Sequence, residues 1–257
     1  MKKKCERCKN PFFSNPIIQG DNVCKTCDRM NCITFWYPRL STLKFPTPKT
    51  IIIHTEVNLE LFAYGEQVEG IDKLVDDIKS AALELGLPVF LRSGYTSNKH
   101  AWKNSCFVDN LDKLKKNIFS IAELSAVATP DRFMPCDFWV VRELLKTKPL
   151  FKFFHGEMPI TKERRFFIKN GKIKCHHSYW PDDVFEGKID KKIITELNKL
   201  SKEDTDILTK MATYIAGMFS GLWSGGFLKT EDGKWYLTDM AIGESSYHQE
   251  HDLELNK

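Results

Sequence analysis

The 257-residue sequence has no apolar run close to the roughly 20 residues that span a bilayer. Its first residues, MKKKCERCKN, lack the apolar stretch that follows a basic start in a secretion signal. The expectation is a cytoplasmic protein with no membrane partner. A Walker motif is also missing, because no spaced glycines end in Gly-Lys-Ser/Thr, so a P-loop nucleotide site is excluded. Charge of one sign does not dominate: 38 Lys and Arg against 34 Asp and Glu leave a net charge of only +4. Past residue 32 cysteine is sparse, and Cys106, Cys136 and Cys175 read as buried or reduced thiols. What is present is enough apolar and aromatic matter, 42% and 12%, to fill a real core in one large domain or two modest ones.

Charge and cysteine both concentrate at the amino end. Residues 1–40 carry eight Lys/Arg and three Asp/Glu, or +5, which leaves the rest near −1. A basic module on a near-neutral body suggests an acidic partner, and nucleic acid is one candidate. The sequence has no stacked aromatic array there to strengthen an RNA reading. Two Cys-x-x-Cys pairs, Cys5/Cys8 and Cys24/Cys27, lie fifteen residues apart and match a structural zinc site. Four thiolates close a tetrahedral shell and leave no open position for catalysis. Cys32 is a spare that can replace one of the four. So small a segment depends on its metal to fold. Residues 1–34 are therefore expected to form a zinc-ribbon-like module, whose loss would leave the rest of the chain working. Residues 35–48 read as a proline-punctuated linker that clings to the body through its aromatics. Residues 49–257 are the main domain.

In that domain Thr50–Ile53 predicts a strand, 70–85 a helix closed by Gly86, and Pro88–Arg92 a second strand. A polar loop follows, Ser93-Gly94-Tyr95-Thr96-Ser97-Asn98, flanked by Arg92 and Lys99. Its amides and the two cations can cradle phosphates, or it can be an ordinary surface turn. A helix is predicted over 109–126 and a strand over 138–144, which includes Val141, Arg142, Glu143 and Leu144. Residues 162–179, KERRFFIKNGKIKCHHSY, predict a hairpin turning at Asn170-Gly171. On its first arm Glu163, Arg165 and Phe167 share one face and Arg164 and Phe166 the other. A partly buried Arg165 needs an anionic partner, either Glu163 or a nucleotide phosphate. Two helices are predicted near 191–200 and 202–219, the second with Ile207, Leu208, Met211, Ile215 and Met218 as its apolar stripe. A last hairpin runs from Phe227 through Asp239. Asp239 with Glu244 on the next loop reads either as a magnesium site or as two solvated acids.

Four stretches in order resemble the ATP-grasp superfamily: PVFLRSGYTSNKHAWKNSCFV, FWVVREL, MPITKERRFFIKNGKIKCHHSYWP and WSGGFLKTEDGKWYLTDMAIGESSYH. The likeness is greatest to the arginine- and lysine-rich clade that includes the eukaryotic cell-division-cycle chaperone of initiation-factor assembly. The resemblance implies an α+β fold in which two subdomains clamp ATP, behind the small zinc-binding module. It implies that Arg92 and Lys99 hold the α- and β-phosphates. Val141, Arg142, Glu143 and Leu144 would form a hinge against the adenine and ribose. Arg165 would reach the γ-phosphate, with Arg165 and Lys99 as the catalytic cations, and Asp239 would bind magnesium. The usual acid on the first strand of the last hairpin is missing, since Gly226 or Phe227 stands there, and Ala241 stands where many relatives have Asn.

Two functions follow from that resemblance. One is an ATP-dependent carboxylate–amine or carboxylate–thiol ligase working through an acyl phosphate, its carboxylate substrate unnamed by the sequence. The other is an ATP-bound assembly chaperone or binding protein with little turnover, whose zinc module touches protein or RNA. A nucleotidyl transferase ranks below both, because Lys229-Thr230-Glu231-Asp232-Gly233 has one residue too many for a Lys-x-Asp-Gly site.

Overall fold

A computed structural model describes residues 2–6, 8–13, 25–127 and 134–247. At the amino end β1 (Lys2–Lys4) and β2 (Pro11–Phe13) pair antiparallel on either side of Cys5 and Cys8. The expected linker is a helix over Ile33–Ser41, with Pro38 inside it. A proline there removes a backbone donor. The helix forms because Ile33, Trp36 and Leu40, three and four residues apart, are all buried on one face. Pro46 and Pro48 come after its end.

The first large sheet has the order β3-β6-β4-β5, antiparallel throughout, from β3 (Thr50–His54), β4 (Val89–Ser93), β5 (Phe107–Val108) and β6 (Phe138–Glu143). The strand–helix–strand order of 50–93 is real, but β6 inserts between its two strands. The helices Ile71–Leu85 and Leu114–Val127 bury their stripes, including Leu74, Ile78, Ile118 and Ile121, against Leu91, Trp139 and Val141. Strand alternation then turns Phe90, Arg92, Val140 and Arg142 to the opposite face.

A small hairpin, β7 (Phe151–Phe153) with β8 (Met158–Ile160), leads into the second sheet. That sheet has the order β10-β9-β11-β12, from β9 (Glu163–Lys169), β10 (Lys172–Ser178), β11 (Leu222–Lys229) and β12 (Trp235–Ile242). Asn170 and Gly171 both take positive φ, 49° and 79°, as a tight two-residue hairpin turn of the Asn-Gly kind requires. The helix Lys202–Met218 starts at Ser201, whose side chain accepts from the Asp204 amide, and packs Leu208, Ala212 and Ile215 against the sheet. Of the expected stripe, Leu208 and Ile215 are buried and Met211 and Met218 pack against the same core, whereas Ile207 is 37% exposed.

The core beneath this second sheet also takes in Cys5, Cys27, Ile33 and Trp36. The cysteine-bearing segment thus shares its apolar interior with Trp223, Met240 and Ile242. No described helix is long and apolar enough to cross a membrane.

Candidate functional site

The two large sheets face one another across a cavity of about 960 Å³, lined from β4 and β6 on one side and from β9, β11 and β12 on the other. Two kinds of wall meet in it. Arg92, Arg142, Lys99, Arg165, Glu163 and Asp239 gather at one end. The rest is mostly apolar, with Phe90, Trp102, Leu144, Met158 and Trp180 among its lining.

The sheets are tied together at the charged end. Arg92 Nη1 donates to Asp239 Oδ1 at 2.9 Å, joining β4 to β12. Arg142 comes from β6, with Nη1 donating to the Thr238 carbonyl and Nε to Thr50 Oγ1 at 3.1 Å. Its Nη2 is buried and has no hydrogen-bond partner among the described residues. An orphaned guanidinium nitrogen of this kind is costly unless a ligand oxygen completes it. Burial, with Arg92 close by, lowers the Arg142 pKa below its ordinary value.

Lys99 and Arg165 each lie against the ring of Tyr179. Lys99 Nζ lies 4.5 Å from the ring centroid and 3.4 Å from Tyr179 Oη, and 4.0 Å from Glu163 Oε2. Arg165 Cζ lies 4.5 Å from the same centroid, and its Nη1 donates to the Tyr247 carbonyl at 3.2 Å. Burial works against the Lys99 ammonium. The oxygens of Tyr179, Glu163 and Asp239 outweigh it and raise its pKa above the ordinary value. The two acids are driven apart. Burial pushes Glu163 above the ordinary glutamate range, more than Lys99 and Arg165 pull it back. Burial acts the same way on Asp239, but Arg92, then Lys99 and Arg142, hold that carboxyl below the ordinary aspartate range.

Most of the residues singled out in the sequence meet here. Arg92, Lys99, Arg142, Glu143, Leu144, Arg165 and Asp239 all line the cavity. Val141 points the other way, into the core of the first sheet. Glu143 lines the wall and accepts from the Lys49 amide at 2.7 Å. Glu244 lies past β12 in the turn Gly243–Ser245, outside the cavity lining. The loop after β4 is folded on itself: Ser93 Oγ accepts from the amides of Tyr95 and Thr96 at 3.3 and 3.0 Å. Those two donors are turned to the loop itself, while Thr96, Ser97 and Asn98 line the cavity beside the cations. Gly226 stands in register between Arg165 on β9 and Asp239 on β12. A β-carbon there would meet Tyr179 Cε2 at 3.6 Å and Asp239 Cβ at 3.8 Å, ordinary contact distances. Sequence reasoning passed over Tyr179 and Thr238. The one signal for Tyr179 was an aromatic directly after the strand opposite Arg165.

At the amino end the sulfurs of Cys5, Cys8 and Cys27 lie within 4.8 Å of one another. The Cys8 amide points to Cys5 Sγ at 3.5 Å, and Lys9 takes φ +62°, so the chain turns back after the second cysteine. This group can hold a metal ion. Cys24 lies outside the described residues. Cys32 sits elsewhere, accepting from Thr34 Oγ1 at 3.1 Å and packed against Gly94.

No protein-family model matches the chain, and no curated protein matches it. Solved structures do. Cdc123 from Schizosaccharomyces pombe, C-terminally truncated, is 16% identical with a TM-score of 0.54, and the match covers 86% of each chain. D-alanyl-alanine synthetase A from Vibrio cholerae is 14% identical with a TM-score of 0.50, over 89% of this chain and 60% of that one. A RimK-domain ATP-grasp protein from Sphaerobacter thermophilus is 13% identical with a TM-score of 0.47, over 89% and 63%. The chain thus spans a little under two thirds of the length of the last two. At these identities the likeness is one of fold, and the fold of this chain is ATP-grasp, two α+β halves over a shared cavity.

Proposed function

We propose that the chain binds ATP in this cavity, phosphates at the cationic end and base toward the apolar end, and uses it to activate a carboxylate. A carboxylate oxygen would attack the γ-phosphorus, releasing ADP and leaving an acyl phosphate. An amine or thiol would then attack the acyl carbon, with inorganic phosphate as the leaving group. Protein groups in such a reaction position the partners and neutralise charge. Arg165 and Lys99 are the groups assigned to the transferred phosphoryl, and Arg92 and Arg142 to the inner phosphates. Glu143 and Leu144 are assigned to the base and ribose.

The observation that carries this reading is the concentration of four cations at one end of a nucleotide-sized cavity, with Arg142 Nη2 left for a ligand oxygen. Magnesium fits the donor set through Asp239. This ion keeps several waters and is held by one or two carboxylates together with phosphate oxygens. It would supply charge neutralisation at the phosphates. The cysteines fit zinc, three of them converging and Cys24 in sequence position to be the fourth thiolate.

One observation favours a second reading, an ATP-bound binding protein with little turnover. Gly226 supplies no carboxylate opposite Asp239, so the metal set is reduced. The basic first forty residues would then meet a protein or RNA partner.

Purified protein with ATP and magnesium, assayed for ADP in the presence of carboxylate and amine pools, tests both. ADP release that needs both pools supports the ligase. ATP binding without ADP supports the binder, and no ATP binding removes both.

A further inference from the structure

Tyr179 belongs to no part of the reading above, yet its ring is where the charged end converges. It follows directly on β10, and its amide donates to the Glu163 carbonyl at 3.1 Å, which fixes the backbone beside β9. Lys99 and Arg165 come from distant parts of the chain, and each lies 4.5 Å from the centre of this one ring. Two cations brought together without a ligand repel each other, and each long side chain has many rotamers to lose. The electron-rich face of an aromatic ring attracts both and limits where they can go. The ring also lies against Gly226, the position opposite Asp239 where a second carboxylate is lacking.

We propose that Tyr179 is the positioning residue of the anion-binding end, holding Lys99 and Arg165 over its ring as two fixed cations for a bound anion. The inference rests on the nucleotide reading and deepens it. Its ligand class is a polyphosphate, and its consequence is that charge neutralisation at this end comes from side chains more than from metal. Gly226 borders the arrangement, since a β-carbon there would sit in ordinary contact with the ring and with Asp239.

The test replaces Tyr179 by Phe, by Leu, and by a series of increasingly fluorinated phenylalanines, and measures ATP and adenosine affinity by calorimetry with and without magnesium. Fluorination weakens the ring's face while keeping its shape, so fold is preserved through the series. Expected is a stepwise loss of ATP affinity with fluorine number, reaching about tenfold for the Leu variant. Tyr179→Phe, which also removes the oxygen 3.4 Å from Lys99 Nζ, should lose less ATP affinity than the Leu variant, and adenosine affinity should not move in any variant. Wild type should also keep most of its ATP affinity when magnesium is removed. A flat fluorine series, or equal losses for ATP and adenosine, overturns the positioning role while ATP binding by wild type stands. Wild type that binds no ATP at all overturns the nucleotide reading and this inference with it.

Discussion

Glu163 and Asp239 face the same cavity and are driven in opposite directions. For Asp239 the depressed pKa means stability that is present above the unfolded aspartate value and is lost as pH falls through the folded one. Glu163 has the opposite sign. Its raised pKa means that its contribution is fully present below the unfolded glutamate value and is lost as pH rises through the folded one. Ionising Glu163 therefore costs the folded chain stability, in spite of Lys99 at 4.0 Å. Glu163→Gln keeps the shape and removes the charge, so it should melt a few degrees above wild type near pH 7.5 without nucleotide. That gap should close as the pH drops below roughly 4.5, where the wild-type carboxyl is itself protonated. Thermal melts across pH read it directly, and a Gln variant less stable at pH 7.5 than at acid pH, relative to wild type, would reverse the sign argued here.

At the scale of an element, β9 carries the clearest pattern. Alternation sends Glu163 and Arg165 to the cavity and Arg164, Phe166 and Ile168 toward the layer that packs behind the sheet. Arg164 is buried there, with Nη1 on Ser178 Oγ at 2.9 Å and Nη2 on the Asn198 carbonyl. Arg164→Ala should thus lower stability by about 2–4 kcal/mol and leave nucleotide affinity in place. Arg165→Ala should do the reverse, removing about 1.5–3 kcal/mol of binding energy with little change in melting. Denaturant titration and calorimetry on the two variants separate them, and matching profiles would contradict the alternation. This division was readable from sequence, because a period of two and an Asn-Gly turn fix which side chains share a face. The partner of Arg165 was not, since Tyr179 and Tyr247 reach it through folding and not through spacing. The helix Ile33–Ser41 was missed for a related reason. Three prolines in sixteen residues signal a linker, and the burial of Trp36 and Leu40 that overrides them is a property of the assembled core. The charged residues around the cavity were singled out as types, yet which way each points depended on strand order. Arg142 and Val141 are adjacent in sequence and end in different layers.

Across the whole molecule, the cysteine segment and the cavity are one packed unit. Spacing alone describes an appended knuckle, to be lost without harm to ATP binding, and the packing argues otherwise. Cys5 and Cys27 are buried in the same cluster as Trp223 and Met240, beneath the strands that carry Arg165 and Asp239. Asn31, four residues past Cys27, donates to Asp28 Oδ1 at 3.0 Å and accepts from the Ile242 amide at 2.8 Å, near the end of β12. The Ile33 amide donates to the Gly94 carbonyl at 3.0 Å, and a β-carbon on Gly94 would come within 2.6 Å of Cys32 Sγ, so the segment closes tightly on the loop after Arg92. Trp36 and Tyr37 then lie 5.6 and 5.7 Å from the Arg142 guanidinium. A metal holding Cys5, Cys8 and Cys27 together would fix the segment from which all of these contacts start. Stripping it with a chelator, or changing Cys8→Ser, should lower the melting temperature and weaken ATP binding together, by about fivefold or more at the coupling energies typical of linked sites. Metal content, melting temperature and ATP affinity measured on the same stripped and zinc-reloaded samples test the linkage. ATP affinity that holds steady as the metal is removed would mean that the shared core transmits nothing, and that the knuckle is an appendage after all.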